Sequence, residues 1–413
     1  MTVTTLAPAA VAEVARPAYR VPSFRRYALG QAVSVLGDQV WYVALSWAAV
    51  QVVSPGAAGL LMAVSAIPRL VLMLAGGVLV DRADPRRLMV DSDLVRAVVC
   101  LAAAAVAVWQ PGVAVLVAVA LVFGAADAVF LPAAAALQPR LLEPAQYAGG
   151  NALVATFNRT ALTFGAPIGG LLAAVGGLPL ALVVNAATFV VSIVALRSVR
   201  PHSVTGPATP AVRPRQALRD GLSYLARHRV LRGVVLVSLL ANVGFAGPMN
   251  VGLALAAQAH GWGAGGIGAM LSGFGVGAIV AGLTMMRLKP RRGVGVVVAT
   301  CFAIQGVAVV LPALVTSLPV AVAATALAGL TSGPAAVLLS ALVQTSTDDA
   351  YRGRVASVTT VVNLGLTPLA MAAMGVLAGA CGLVPAFAAS GALELVAAAM
   401  CLAVPAIRRA RLA

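Results

Sequence analysis

The chain has 413 residues, 61% of them hydrophobic and 10% charged, and 28 basic against 12 acidic residues give a net charge of +16. That composition leaves no room for a soluble domain of ordinary size, and dispersed arginines without aromatic interleaving argue against nucleic acid. A mean hydropathy of +0.99 puts most of the chain in a membrane.

Apolar stretches, each long enough for a hydrocarbon core of about 30 Å, are predicted over residues 24–50, 56–80, 88–109, 113–137, 151–175 and 178–196. A second set follows over 231–258, 263–286, 293–315, 318–344, 355–380 and 383–407. The connections at 51–55, 110–112, 176–177, 316–317 and 381–382 carry no charge, and the one near His260 carries only that histidine. The others collect Arg16, Arg20, Arg25 and Arg26, then Arg82, Arg86, Arg87 and Arg140, the cluster over 197–232, the basic stretch over 287–292, and Arg352, Arg354, Arg408, Arg409 and Arg411. Because basic residues stay inside, both termini are expected in the cytoplasm. The expected division is a cytoplasmic tail over 1–23, a six-helix bundle over 24–196, a cytoplasmic linker over 197–230, a second six-helix bundle over 231–407 and a tail over 408–413. The first 22 residues hold no apolar run with a small-residue cleavage site after it, so the first span is expected to direct insertion itself.

The linker ends in RQALRDGLSYLARHRVLR, where Leu218, Leu222 and Leu225 recur at helical spacing opposite arginines. This reads as an interfacial amphipathic helix. The four cysteines, Cys100, Cys301, Cys381 and Cys401, lie in or beside apolar spans without ligand-like spacing, so they are expected to pack, not to bind metal or pair.

The chain repeats itself. A shift of 205 residues lays GVLVDRADPRR (77–87) on GLTMMRLKPRR (282–292), and near that shift Tyr147 falls on Tyr351, Asn158 on Asn363 and Gly177 on Gly382. Six spans per half set both halves in one orientation, related by an axis along the membrane normal, as suits a carrier that rocks about a central site. The fold class is therefore all-α integral membrane, with twelve transmembrane helices in two pseudo-symmetric bundles.

Five motifs carry a likeness to a known family. They are Gly77-x-x-x-Asp81-Arg82 with Arg86-Arg87, Gly37-Asp38-Gln39, Phe130-Leu131-Pro132-Ala133, Gly165-Ala166-Pro167-Ile168-Gly169-Gly170, and Tyr351-Arg352-Gly353-Arg354-Val355-Ala356-Ser357. Over residues 24–407 the chain resembles the major facilitator superfamily, in its enterobactin-exporter and macrolide-efflux-like branch. It departs at Pro85, where that branch usually has a basic residue, and at Met286, where the second copy lacks the acidic one. The resemblance implies a cytoplasmic gate of Gly77, Asp81, Arg82, Arg86 and Arg87, with Asp81 capping the start of span eleven near Arg354. A purely topogenic role for that charge cluster is the competing reading. The Gly165, Pro167, Gly169 and Gly170 element is similar to one in related antiporters, which implies export, although close helix packing explains it nearly as well.

Asp38, Arg69, Asp127 and Arg159 lie well inside predicted spans of the first half, and each would cost about 2.5–3.5 kcal/mol at the bilayer centre. They are expected to face the interior and offset one another, two carboxylates against two guanidiniums. Asp38 is the leading candidate for coupling a proton to a solute, or else a permanent partner of Arg69 or Arg159. Asp127 is either its partner or a second protonation site, and Arg159 is favoured over Arg69 for function. Glu394 in the last span either lines a minor pathway or packs against a neighbour. Otherwise the second half is expected to be an apolar wall. Asp91, Asp93 and Arg96 are expected to form a surface ion network near the cytoplasm. Trp41, Tyr42, Phe157, Asn158, Phe245, Met249, Asn250 and Gln344 are the candidates for an aromatic and amide-lined cavity.

The residues thus point to a secondary transporter of the bacterial cytoplasmic membrane that exports small amphipathic molecules, drugs among them, against protons. It is expected to work as a monomer among lipids, with no cofactor, no metal and no enzymatic activity. No ATPase motif appears, and one charge moved through 100 mV releases about 2.3 kcal/mol, enough for a roughly fifty-fold solute gradient. A siderophore or endogenous-metabolite exporter of the same fold is the alternative, and a non-transporting receptor or scaffold is the reading from a different class.

Overall fold

The computed structural model describes residues 17–69, 72, 83–109, 112–201, 214–288, 293–348 and 351–408. In chain order its helices are α1 (Pro22–Val52), α2 (Pro55–Val64), α3 (Pro85–Trp109), α4 (Val113–Leu137), α5 (Tyr147–Arg197), α6 (Pro214–Arg227), α7 (Arg229–Gly247), α8 (Leu253–Ala259), α9 (Gly263–Leu288), α10 (Val294–Leu314), α11 (Leu318–Thr345), α12 (Arg352–Cys381) and α13 (Leu383–Ala403). Nine apolar helical segments are long enough to cross a membrane among the described residues. One of these breaks at Gly177 and α12 adds a shorter apolar stretch, which makes eleven passes among the described residues; α2 opens the predicted second span, whose later part lies outside them. It is a multi-pass membrane protein.

Several helix starts are written in the sequence. Pro22, Pro55 and Pro85 open their helices where the missing N–H costs nothing. The Ser54 side chain accepts from the Ala57 amide at 3.4 Å, and the Arg86 amide donates to Asp84 Oδ1 at 3.0 Å. The reversal within α5 rests on Gly177, whose φ of 61° lies in the left-handed region that side chains avoid. Gly382, its counterpart in the repeat, has φ 92° between α12 and α13. The duplication read from the sequence is thus repeated in the backbone. Span seven departs from the simple prediction: a π turn over Pro248–Gly252 separates α7 from α8.

The outward faces carry Leu101, Val108, Leu171, Val175 and Val194 exposed, as lipid-facing helices must. Inside, alanine, valine and leucine make up much of the core around aromatic residues such as Phe24, Phe189 and Phe387, and backbones approach closely. At the uncharged end the two halves of the chain meet. A methyl at Gly59 would collide with the backbone of Met371 and Gly375, and one at Gly170 with that of Gly268. There the Gln258 side-chain amide also donates to the Val50 carbonyl at 2.6 Å.

The linker helix α6 is not confined to a membrane surface. Leu222 is exposed, but Leu225 is buried with Leu231, Val355 and Val358. The ring of Tyr224 stacks on Tyr351, centroids 4.3 Å apart and planes 11° from parallel. The Asp348 amide donates to the Tyr224 hydroxyl at 3.2 Å, and Asp220 stands 4.0 Å from Arg354. An amphipathic pattern alone does not distinguish a lipid surface from a protein one, and here part of the apolar stripe docks on the start of α12.

Candidate functional site

The charges of the first half converge on one guanidinium. Arg96 is 1% exposed; its Nη2 donates to Asp93 Oδ1 at 2.5 Å and its Nη1 to Asp127 Oδ1 at 3.1 Å, and Nη1 stands 3.6 Å from Asp38 Oδ2. Arg69 pairs with the other oxygen of Asp127. The Arg96 Cζ lies 4.6 Å from the ring centroids of both Phe130 and Phe189, so an arginine that cannot reach water is held by three carboxylates and two aromatic faces. The helices explain the convergence: α1 brings Asp38, α3 Asp93 and Arg96, and α4 Asp127, and Gly124 on α4 lets the chain beside Arg69 come within contact.

This corrects the expectation of a surface ion network. Asp93 is fully buried and Arg96 nearly so; only Asp91 points outward. The partner of Asp38 and Asp127 is accordingly Arg96 with Arg69, not Arg159. Arg159 is exposed on α5 and makes no ion pair among the described residues. The signal that could have found Arg96 is the stripe Met89, Asp93, Arg96, Cys100, Ala104, Ala107, all buried at helical spacing.

Beside the cluster lies a cavity of about 530 Å³, lined by Asp38, Arg69, Arg96, Asp127, Trp41, Tyr42, Asn158 and Asn250 and by Thr367 and Met371 from α12. The Tyr42 hydroxyl donates to Asn250 Oδ1 at 2.9 Å, linking the two halves across it. The second oxygen of Asp38, Oδ1, is buried without a hydrogen-bond partner among the described residues. A smaller cavity of about 210 Å³ shares Gln39, Leu162 and Asn250 with the first and adds Arg159, Phe245, Met249 and Phe274. Trp41 packs on Phe123, centroids 5.4 Å apart.

Two cavity candidates lie elsewhere. Phe157 packs beside the cluster of Phe24, Tyr27 and Phe130 toward the basic end, and Gln344 is exposed near the end of α11 with its amide on Ser340 Oγ at 3.2 Å. Of the expected gate, Gly77, Asp81 and Arg82 lie outside the described residues. Arg86 donates to the Val199 carbonyl at 2.9 Å, and Arg87 is exposed. In the Gly165–Gly170 element, Gly165 and Gly169 admit α1 and Gly170 admits α9. Glu394 is wholly buried on α13, where Gln305 donates to Oε1 at 3.2 Å. The second half is not an apolar wall: a cavity of about 350 Å³ there is lined by Ser238, Asn242, Gln305, Ser332, Ser340 and Thr359 among apolar residues. Hydroxyls and amides carry no net charge, so a search for intramembrane charges passes over them.

The family model described as Major Facilitator Superfamily matches residues 27–264. Multidrug efflux pump Tap of Mycobacterium tuberculosis (strain ATCC 25618 / H37Rv) is 27% identical over 401 residues, covering 92% of this chain and 93% of that protein. Multidrug efflux pump Tap of Mycolicibacterium fortuitum is 27% identical over 391 residues, covering 91% and 94%. Among solved structures, a mutant of the nucleoside transporter NupG superposes with a TM-score of 0.72 at 11% identity, covering 93% of this chain and all of that one; at that identity the likeness is one of fold.

Proposed function

The chain belongs to the major facilitator superfamily, and from that premise we propose that it exports small amphipathic molecules, drugs among them, by exchanging them for protons across the bacterial cytoplasmic membrane. The likeness to multidrug efflux pumps over nine-tenths of the chain supports the direction and the substrate class. The observation that carries the coupling is the charge count of the ion-pair cluster beside the cavity: Asp38, Asp93 and Asp127 against Arg69 and Arg96, with Asp93 enclosed behind the other four. With all five ionised, one negative charge is in surplus beside a space partly shielded from water, and an uncompensated charge there is costly. A proton or the cationic group of a solute can supply the missing positive charge, and the two compete for one place.

Asp38 is the residue on which the exchange turns. It is held by Arg96 at only 3.6 Å and has one oxygen free. Asp93 sets Arg96 in place, and Asp127 divides its two oxygens between Arg96 and Arg69. Trp41, Tyr42, Met249 and Phe245 supply apolar and aromatic contact for the body of the solute. Residues 24–196 and 231–407 act as two bundles with both termini on the cytoplasmic, basic side. The contacts of Gly59, Gly170 and Gln258 close the far side, so solute enters from the cytoplasm in this conformation.

The test is uptake into liposomes under an imposed proton gradient, using lipophilic cations and macrolides with wild type and Asp38→Asn. Flux that depends on the gradient and is lost in the variant is the expected result. Flux equal with and without the gradient would overturn the coupling.

A further inference from the structure

We propose that Glu394 is a second proton-binding site of the transport cycle, reached from the cavity of the second half through Gln305; the inference rests on the proton-coupled reading above. The 205-residue shift lays Glu394 on Phe189, so no carboxylate of the Asp38 cluster corresponds to it, and it lies in the other half of the chain. Its carboxyl is wholly enclosed, and what encloses it is specific. Gln305 of α10 donates to Oε1 at 3.2 Å, and the hydroxyl of Thr331 on α11 donates in turn to Gln305 Oε1 at 3.5 Å. Oε2 has no partner among the described residues. Gly244 of α7 and Gly306 of α10 stand against the Glu394 side chain, where any larger residue would displace it.

No charged side chain faces Glu394 among the described residues. α7 presents Gly244, α10 Gln305 and Gly306, and α11 reaches it only through Thr331 and Gln305. The other titratable groups on α10 and α13 are the thiols Cys301 and Cys401. Glu394 lacks the fixed cation that Asp38, Asp93 and Asp127 possess, so no side chain competes with a proton for its free oxygen in this conformation. It is one side chain away from an exit. Gln305 also lines the 350 Å³ cavity, whose Ser238, Asn242 and Ser332 make it polar and roomy enough for water. When α10 and α11 shift against α13 and Gln305 turns away, the carboxyl meets that cavity and can release its proton there.

The experiment is infrared difference spectroscopy of the protein in lipid, titrated from about pH 5 to about pH 9, following the protonated-carboxyl absorption. Expected is a component that titrates in wild type, is absent in Glu394→Gln, persists in Asp38→Asn, and changes midpoint by about one unit in Gln305→Leu. A component that never titrates, or one unchanged in Gln305→Leu, would overturn the inference, and the latter serves even if Glu394→Gln fails to fold. Failure of the proton-coupled reading would appear separately, as wild-type flux indifferent to a gradient.

Discussion

Asp93 and Arg96, one helical turn apart on α3, share a hydrogen bond of 2.5 Å where neither side chain reaches solvent. Arg96 is therefore the hub of the cluster and Asp93 its anchor. Arg96→Leu leaves three carboxylates short of a partner and is expected to destabilise the protein by about 3–5 kcal/mol, whereas Asp93→Leu with Arg96→Leu recovers most of that. Thermal unfolding in detergent measures both. A single variant as stable as wild type would remove Arg96 from the centre of the site.

Asp127 offers one oxygen to each arginine. Asp127→Asn keeps the shape and removes the charge, leaving the half-exposed Arg69 free beside the cavity. A lipophilic cation should then bind about tenfold more weakly, the equivalent of about 1.4 kcal/mol, while a neutral solute of similar size is little affected. Equilibrium binding of the two classes by fluorescence distinguishes this from a general loss of the cavity.

The close approach of Gly59 and Gly375 locates the closure at the uncharged end. Cysteines placed one turn further out, at Gly56 and Gly379, where an added Cβ meets no atom nearer than 3.4 Å, should form a disulfide under mild oxidant once Cys100, Cys301, Cys381 and Cys401 have been replaced, because a Cβ at Gly379 would stand 4.0 Å from the Gly56 Cα. Transport should stop on oxidation and return on reduction. Flux that continues with the bridge formed would mean that this contact does not open during the cycle.

The stack of Tyr224 on Tyr351 should matter more than the ion pair beside it. Tyr224→Ala is expected to cost about 0.5–1.5 kcal/mol of local stability beyond lost burial, seen as faster backbone hydrogen exchange along α6. Arg354→Gln should change little, since Arg354 and Asp220 are 34% and 39% exposed and such pairs contribute about 0–1 kcal/mol.

The transmembrane architecture was legible because lipid imposes one rule on every span, and the rule acts on composition alone. Most of the helix ends fell close to prediction where proline, glycine or charge marks them, as at Val113, Leu137 and Gly382. The site was legible only in part. Asp38, Arg69 and Asp127 stood out as charges among apolar neighbours. Asp93 and Arg96 were masked by the company of Arg87 and Asp91, which made them look like the rim of a helix. Only the depth to which α3 is buried on one side shows otherwise. The docking of α6 was not legible either, because its partner surface is built from residues more than a hundred positions later.

Gly177 joins two spans by a single residue, and that leaves no slack. The segment before it carries Gly170 against Gly268 at the closure, and the segment after it carries Asn185 and Thr188 against Gly37, next to Asp38. A longer connection would absorb a displacement; a one-residue joint passes it on. A motion that parts Gly170 from Gly268 is therefore expected to shift the wall behind Asp38, because the seal and the flank of the acid sit on one bent rod.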